Sequence, residues 1–186
     1  FEGYFQSEKY FLNIEKELKK EFLFKNELIN KKNKFKDLIE KNNSVSIHIR
    51  KNRFSKDENH SNLDKLNKMN LKLNIEIAKK GIEYFEKKMN KPKFFIWSNN
   101  FDGLNEYFNG DKYVFVDNSE DFNDVYDLYL MTLCNNFILS PSTFHYWGAY
   151  LSKFPNKICL SPPDVMNKSG YYGFSNNKDI RANWWI

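Results

Sequence analysis

Ser44-Val45-Ser46-Ile47-His48-Ile49-Arg50 alternates without a break between apolar and polar side chains. A period of two is the pattern of a β-strand. Val45, Ile47 and Ile49 therefore share one face, and Ser46, His48 and Arg50 the other. Upstream, the period is helical. One helix is predicted from about Ser7 to Phe22, with Ser7 as its N-cap, and a second from about Asn26 to Lys41, with Leu28, Phe35, Leu38 and Ile39 as its apolar stripe. Downstream of the strand, a polar loop over about 51–66 leads to a long helix. Its stripe of Leu71, Ile75, Ala78, Ile82, Phe85 and Met89 recurs at alternating steps of four and three, and Lys91-Pro92 ends it.

The rest of the chain repeats the alternation. Strands are predicted at Lys93–Trp97, Tyr113–Val116, Phe137–Leu139 and Lys157–Leu160. Helices are predicted near Asp102–Phe108, over Val125–Cys134, and from a Ser142 cap to Leu151. Strands separated by helices imply an α/β fold, a parallel sheet with helices on both faces. Ligands of such sheets bind beyond the carboxyl ends of the strands. Arg50, Ser98-Asn99-Asn100, Asp117-Asn118 and Ser140–Thr143 should then share one rim.

Composition excludes several classes. The 186 residues are enough for one domain, or one domain with an appendage, and two cysteines form at most one bridge. Hydrophobic residues at 41% and aromatics at 18% can offset the entropy of ordering, which argues against disorder. No apolar run is long enough to span a membrane. The chain begins at Phe1 with no signal-like segment, and is read as a piece of something longer. The net charge of +5 is uneven: +2 over residues 1–41, +6 over 42–91 and −3 over 92–186. A positive middle suits an anionic ligand, either a polynucleotide or a small phosphorylated molecule. A solvated lysine-rich helix face accounts for much of the same charge.

Gly-rich phosphate loops and a G-x-S-x-G elbow are missing, and the three His and two Cys lack metal-ligand spacing, so no metal site is expected. What remains is His48-Ile49-Arg50-Lys51-Asn52-Arg53, three cations in four residues where a strand stops. An arginine fork held at a strand end suits a pyrophosphate; the alternative is a solvated basic turn with His48 in the core. Ser140-Pro141-Ser142-Thr143-Phe144 leads from a strand to a helix start, whose free N–H groups favour an anion, unless Ser142 is simply a cap. In the acidic run Asp117–Asp127, Asp127 stands out inside an otherwise apolar helix.

Together and in this order, these segments resemble the α-1,2-fucosyltransferases of glycosyltransferase family 11. Gly3–Phe11 is similar to the family's GYxQSxKYF segment, and Ser44–Phe54 to its SVxIHxRRGDY strand and loop. Asp127–Cys134 followed by Ser142–Ala149 is similar to its block beginning D-x-x-L-M and ending S-[ST]-F-x-x-W-x-A, and Lys157–Pro163 to its closing strand and proline. The resemblance implies a Rossmann-like, nucleotide-binding half of a two-domain GT-B-like fold. Residues 44–186 would be the GDP-sugar-binding domain, and 1–43 a helical segment linking to an N-terminal domain outside this sequence.

The implied reaction moves L-fucose from GDP-fucose to the 2-hydroxyl of a terminal galactose, with inversion and without metal or cofactor. Its partners would be GDP-fucose as donor substrate and a galactose-terminated glycan as acceptor, with no nucleic acid. The residue matches put Arg50 on the diphosphate with His48 beside it, as catalytic residues. Lys51, Ser142, Thr143, Phe144 and Asp127 join Arg50 in binding the nucleotide sugar, and Asn99 or Asn100 faces guanine. Lys51 replaces the second arginine of the motif and cannot form a planar fork; Asn52 replaces Gly, and Arg53 stands where the family has Asp. Two other readings stay open: a basic nucleic-acid-binding domain, and a fragment that binds donor without transferring it. The location implied is the bacterial cytoplasm, with membrane association at its inner face for a full-length protein, or a Golgi membrane if eukaryotic.

Overall fold

The computed structural model describes residues 8–52, 62–118 and 124–160. Five parallel strands form one sheet: β1 (Asn43–Ile49), β2 (Pro92–Ser98), β3 (Tyr113–Phe115), β4 (Asn136–Ile138) and β5 (Cys159–Leu160). Their spatial order is β3-β2-β1-β4-β5, with every neighbouring pair parallel. Among the described residues six α-helices accompany them: α1 (Glu15–Glu21), α2 (Asn26–Ile29), α3 (Lys34–Glu40), α4 (Leu63–Lys88), α5 (Asp124–Thr132) and α6 (Thr143–Leu151). This is the predicted α/β, Rossmann-like arrangement. The chain winds outward from β1 to β3, crosses back, and winds the other way through β4 and β5, so the order reverses between β1 and β4.

Helix α4 covers one face. Its Ile75, Ile77, Ala78, Ile82 and Phe85 pack on Val45, Ile47, Ile49, Phe94, Ile96 and Ile138. On the other face, α3, α5 and α6 bury Phe95, Trp97, Phe137 and Leu139 beneath Phe35, Ile39, Tyr126, Leu130, Met131 and Ala149. Being central, β1 is buried from Ser44 to Ile49 on both faces. Its polar face is therefore core, and its hydroxyls must find partners there. Ser44 Oγ meets Asn135 Oδ1 at 3.1 Å, and Ser46 Oγ meets His145 Nε2 at 2.9 Å.

The structure corrects some element boundaries. The Ser7–Phe22 helix is reduced to two tight 3-10 turns, Glu8–Tyr10 and Leu12–Ile14, followed by α1. Phe11 between those turns is buried against Trp147 and Tyr150, and Ile14, at the start of α1, has no side-chain acceptor to cap a longer helix. The Asn26–Lys41 helix breaks into α2 and α3 because Asn33 adopts an extended backbone and accepts a bond from Phe35 N at 2.8 Å. A side chain that caps a new helix ends the old one. After Gly103, which takes the left-handed φ of 72°, only the 3-10 turn Leu104–Glu106 remains of the helix predicted near Asp102–Phe108. Helix α4 starts at Leu63, inside the predicted loop.

Gly3–Ser7 of the first motif, Arg53 and Phe54 of the basic loop, residues 119–123 of the acidic run and Ser161–Pro163 lie outside the described residues. Among the described residues, no helix is long and apolar enough to cross a membrane, and no three His, Cys, Asp or Glu side chains are grouped to hold a metal ion.

Candidate functional site

All five strands point the same way, so their carboxyl ends make one edge, and the strand order reverses between the paired neighbours β1 and β4, the place where sheets of this kind form a ligand crevice. Three parts meet there. The first is the end of β1, where Arg50 is the first exposed residue after six buried ones. The second is the turn Ser140–Ser142, closed by Ser142 N donating to Ser140 O at 2.7 Å. The third is the start of α6, where Ser142 Oγ accepts from His145 N at 3.4 Å.

His48 joins these parts. Its Nδ1 lies 3.4 Å from Ser140 Oγ, and its ring packs 6.1 Å from Phe144 and 5.8 Å from His145, centroid to centroid. Burial pushes its pKa down to about 4, and the positive charge of Arg50 pushes the same way. At neutral pH His48 is therefore an uncharged imidazole. His145, wholly buried, is held well below the ordinary histidine value by burial and then by His48. Among the described residues where β1 ends, cationic charge comes from Arg50 and Lys51.

The peptide joining Arg50 to Lys51 is gripped from two sides. Asn70 Nδ2 of α4 donates to Arg50 O at 2.7 Å, and Lys51 N donates to Asn99 Oδ1, beyond β2, at 2.9 Å. Lys51 Nζ turns toward the β2 end, donating to Asp102 O and, at 3.4 Å, to Asn100 Oδ1.

A neutral imidazole, an exposed guanidinium at a strand end and a helix start can hold a phosphorylated ligand and stabilise charge growing on it. Comparison with known proteins gives that geometry a family. The family model described as Glycosyl transferase family 11 matches residues 1–185. The chain belongs to that family. It is similar to the O-antigen biosynthesis glycosyltransferase WbnK of Escherichia coli, 28% identical over 152 residues, which are 81% of this chain and 46% of that protein. It is also similar to an alpha-1,2-colitosyltransferase of Escherichia coli, 28% identical over 168 residues, covering 87% and 54% respectively. The family 11 chain thus spans about half the length of these curated relatives. No solved structure matches it.

In this family 11 chain the sequence-predicted residues fall into three groups. His48 packs against Phe144 and lies beside Ser140, and the strand order puts Arg50, at the end of β1, on the same edge as Ser142 and Thr143, after β4, whereas Lys51 turns toward the β2 end. Asn99 and Asn100 lie next to them, with their amides engaged on the loop: Asn99 also donates to Asn52 O at 3.3 Å, and Asn100 Oδ1 accepts from Asp102 N at 2.8 Å. Asp127 stands apart, on the β3 side, accepting from Asn118 Nδ2 at 2.6 Å. Burial raises its pKa, Asp124 and Asp117 add to the rise, and the Asn118 bond opposes it. Asn118 Oδ1 in turn accepts from Asn33 Nδ2 at 3.2 Å, tying Asp127 to the cap of α3.

Sequence reasoning missed Asn70 and Asn74. Both are buried on the inner face of α4, at 4% and 2% exposure, among residues that otherwise are Ile, Ala, Gly and Phe. Two amides one turn apart on an apolar face were the available signal, masked by an asparagine-rich chain.

Proposed function

We propose that this chain is the donor-binding part of an inverting, metal-independent fucosyltransferase that uses GDP-fucose and a terminal galactose. The observation that carries the reading is that neighbouring strands β1 and β4 bring Arg50, after β1, and the start of α6, after β4, to the same edge at the strand-order reversal. Family 11 membership supports glycosyl transfer, and the matched β1 and α6 segments are the parts a nucleotide diphosphate needs. Residues 44–186 would form the GDP-sugar-binding domain, and 1–43 the link to a preceding domain of a longer protein.

In the proposed reaction the galactose 2-oxygen attacks the anomeric carbon of fucose from the side opposite the diphosphate. The new C–O bond forms as the bond from carbon to the β-phosphate oxygen breaks. GDP leaves with the electron pair, and the hydroxyl proton passes to a base. Negative charge grows on the departing diphosphate, where Arg50 forms paired hydrogen bonds and the N–H groups of Thr143 and Phe144 add their dipoles. His48, neutral and desolvated, lies two residues before Arg50 on the same face of the strand path and can hydrogen-bond without adding charge. Asp127 and, of the two amides after β2, Asn100 are assigned to the nucleotide on the family pattern.

Calorimetric titration with GDP-fucose, GDP-mannose, GDP-colitose, GDP and a short single-stranded oligonucleotide tests this. Colitose enters because one relative is named for its transfer. Saturable GDP binding that weakens at least about tenfold in Arg50→Ala is expected, since hydrogen bonds to charged groups contribute about 1.5–3 kcal/mol. Oligonucleotide binding with a steep salt dependence and no response to GDP overturns the reading.

A further inference from the structure

The main chain that carries Arg50 is held by two asparagines from different elements. A trans peptide points its C=O and N–H in opposite directions. Asn70 takes the carbonyl of the Arg50–Lys51 peptide at 2.7 Å, and Asn99 takes the N–H of the same peptide at 2.9 Å. Gripping both ends stops the peptide plane from turning about its axis, which fixes ψ of Arg50 and φ of Lys51. The guanidinium is then aimed from a rigid base, although its side chain is exposed.

The clamp is itself braced. Asn74 Nδ2 donates to Asn70 O at 2.7 Å and to Asn70 Oδ1 at 3.2 Å. That second bond fixes which way round the Asn70 amide sits: oxygen toward Asn74, nitrogen toward Arg50. Burying two amides on the core face of a helix is costly unless their bonds are made. An apolar pair would pack there equally well, so packing alone gives no reason for them. On the other side, Asn99 is tied by its own Nδ2 to Asn52 O.

We infer that Asn70 and Asn99 are positioning residues for Arg50, holding the single peptide that aims its guanidinium at the β-phosphate of a nucleoside diphosphate. This rests on the donor-binding reading above and adds to it two residues that act through the main chain rather than by touching the ligand. Asn99 on this view serves the loop in place of the base.

The test compares GDP with GMP, which lacks the β-phosphate, on the 186-residue chain and its variants. In Asn70→Leu and Asn99→Ala, GDP affinity is expected to fall about tenfold while GMP affinity stays within about twofold. In an Arg50→Ala background, either substitution should cost less than about a further twofold, because the group it positions is gone. Equal losses for GDP and GMP, or full additivity with Arg50→Ala, overturn the inference. Asn99 is exposed, so Asn99→Ala carries the test if Asn70→Leu fails to fold. Hydrogen exchange at the Lys51 amide gives a readout without ligand: it should speed up in both variants, and unchanged exchange sinks the clamp. If the unmodified chain binds no GDP, the donor-binding reading fails, and Lys51 exchange still decides whether the clamp exists.

Discussion

Ser46 Oγ and His145 Nε2 lie 2.9 Å apart, a bond sealed from solvent that ties the central strand to the helix starting at the crevice. The other ring nitrogen, His145 Nδ1, is buried with no hydrogen-bond partner among the described residues. If Nε2 carries the proton and donates to Ser46, the orphan is a bare lone pair; the other tautomer would strand an N–H, which is the costlier arrangement. Removing the hydroxyl in Ser46→Ala leaves both nitrogens unpaired. The expected loss is about 1–3 kcal/mol of folding stability, read by urea denaturation. A loss below a few tenths would mean that the imidazole finds another partner.

His48 and His145 make stability depend on pH in a defined direction. Each is harder to protonate in the fold than in the unfolded chain, whose histidines titrate near 6.5. Between those values the unfolded state binds more protons, so stability rises with pH. It should be complete above about pH 6.5 and fall steadily as pH drops toward 4, by about 3 kcal/mol for His48 alone, with His145 adding in the same direction. Denaturation midpoints measured across that range check the slope, and His48→Gln should flatten part of it. A stability maximum at acid pH would contradict the burial of both rings.

Asp127 trades in the opposite direction. Its raised pKa means that ionising it opposes folding, so its contribution falls as pH rises through the carboxylate range. Asp127→Asn keeps an acceptor for Asn118 and removes the charge beside Asp124 and Asp117. The variant is expected to melt higher than the parent at neutral pH and to bind GDP more weakly. Both readings come from one preparation, by calorimetric melting and titration. A variant that melts higher with unchanged GDP affinity would remove Asp127 from the nucleotide-binding set.

Two glycines set how closely the helices approach. A Cβ at Gly148 of α6 would sit 2.9 Å from Met131 Cβ of α5; one at Gly81 of α4 would meet three Ile138 side-chain carbons at 2.6–2.7 Å. Alanine favours a helix by about 1 kcal/mol over glycine, but overpacking costs about 1–3. Both Gly→Ala changes should therefore lower stability on balance. Their rescue differs. Ile138→Ala clears the atoms that Gly81→Ala strikes and should restore part of the loss. Met131→Ala keeps its Cβ and should restore little in Gly148→Ala. Urea denaturation of the four single variants and two doubles checks the contrast.

The alternation at 44–50, the stripe of α4 and the strand–helix alternation after them were enough to read a parallel α/β sheet. The first two patterns are set by neighbours a few residues apart, which a sequence displays directly. The reversal of strand order was not legible, because where β4 lands depends on α5 crossing a whole face. Nor was the burial of Ser46, while that of His48 was only one of two readings: alternation marks two faces of a strand, and its central place in the sheet makes both of them core. Asn33 ended a helix by capping the next one, a local choice that competes closely with continuing. At the site, Arg50 and the α6 start were visible as residue types. Asn70 was not, since a buried amide and a solvated one look alike in a sequence so rich in asparagine.

Helix α4 is longer than the sheet it covers. Twenty-six residues make a rod of roughly 39 Å, against roughly 23 Å for the seven residues of β1. The link from α4 to β2 is short, Met89–Lys91, so the excess projects past the other edge, beyond the carboxyl ends of the strands. Burial agrees: the buried residues of α4 begin at Asn70, and the nearly two turns before it, Leu63–Met69, hold none. Among the described residues the overhang stands beside Arg50, whose carbonyl its Asn70 holds, as a parapet along that side of the edge where the strands end.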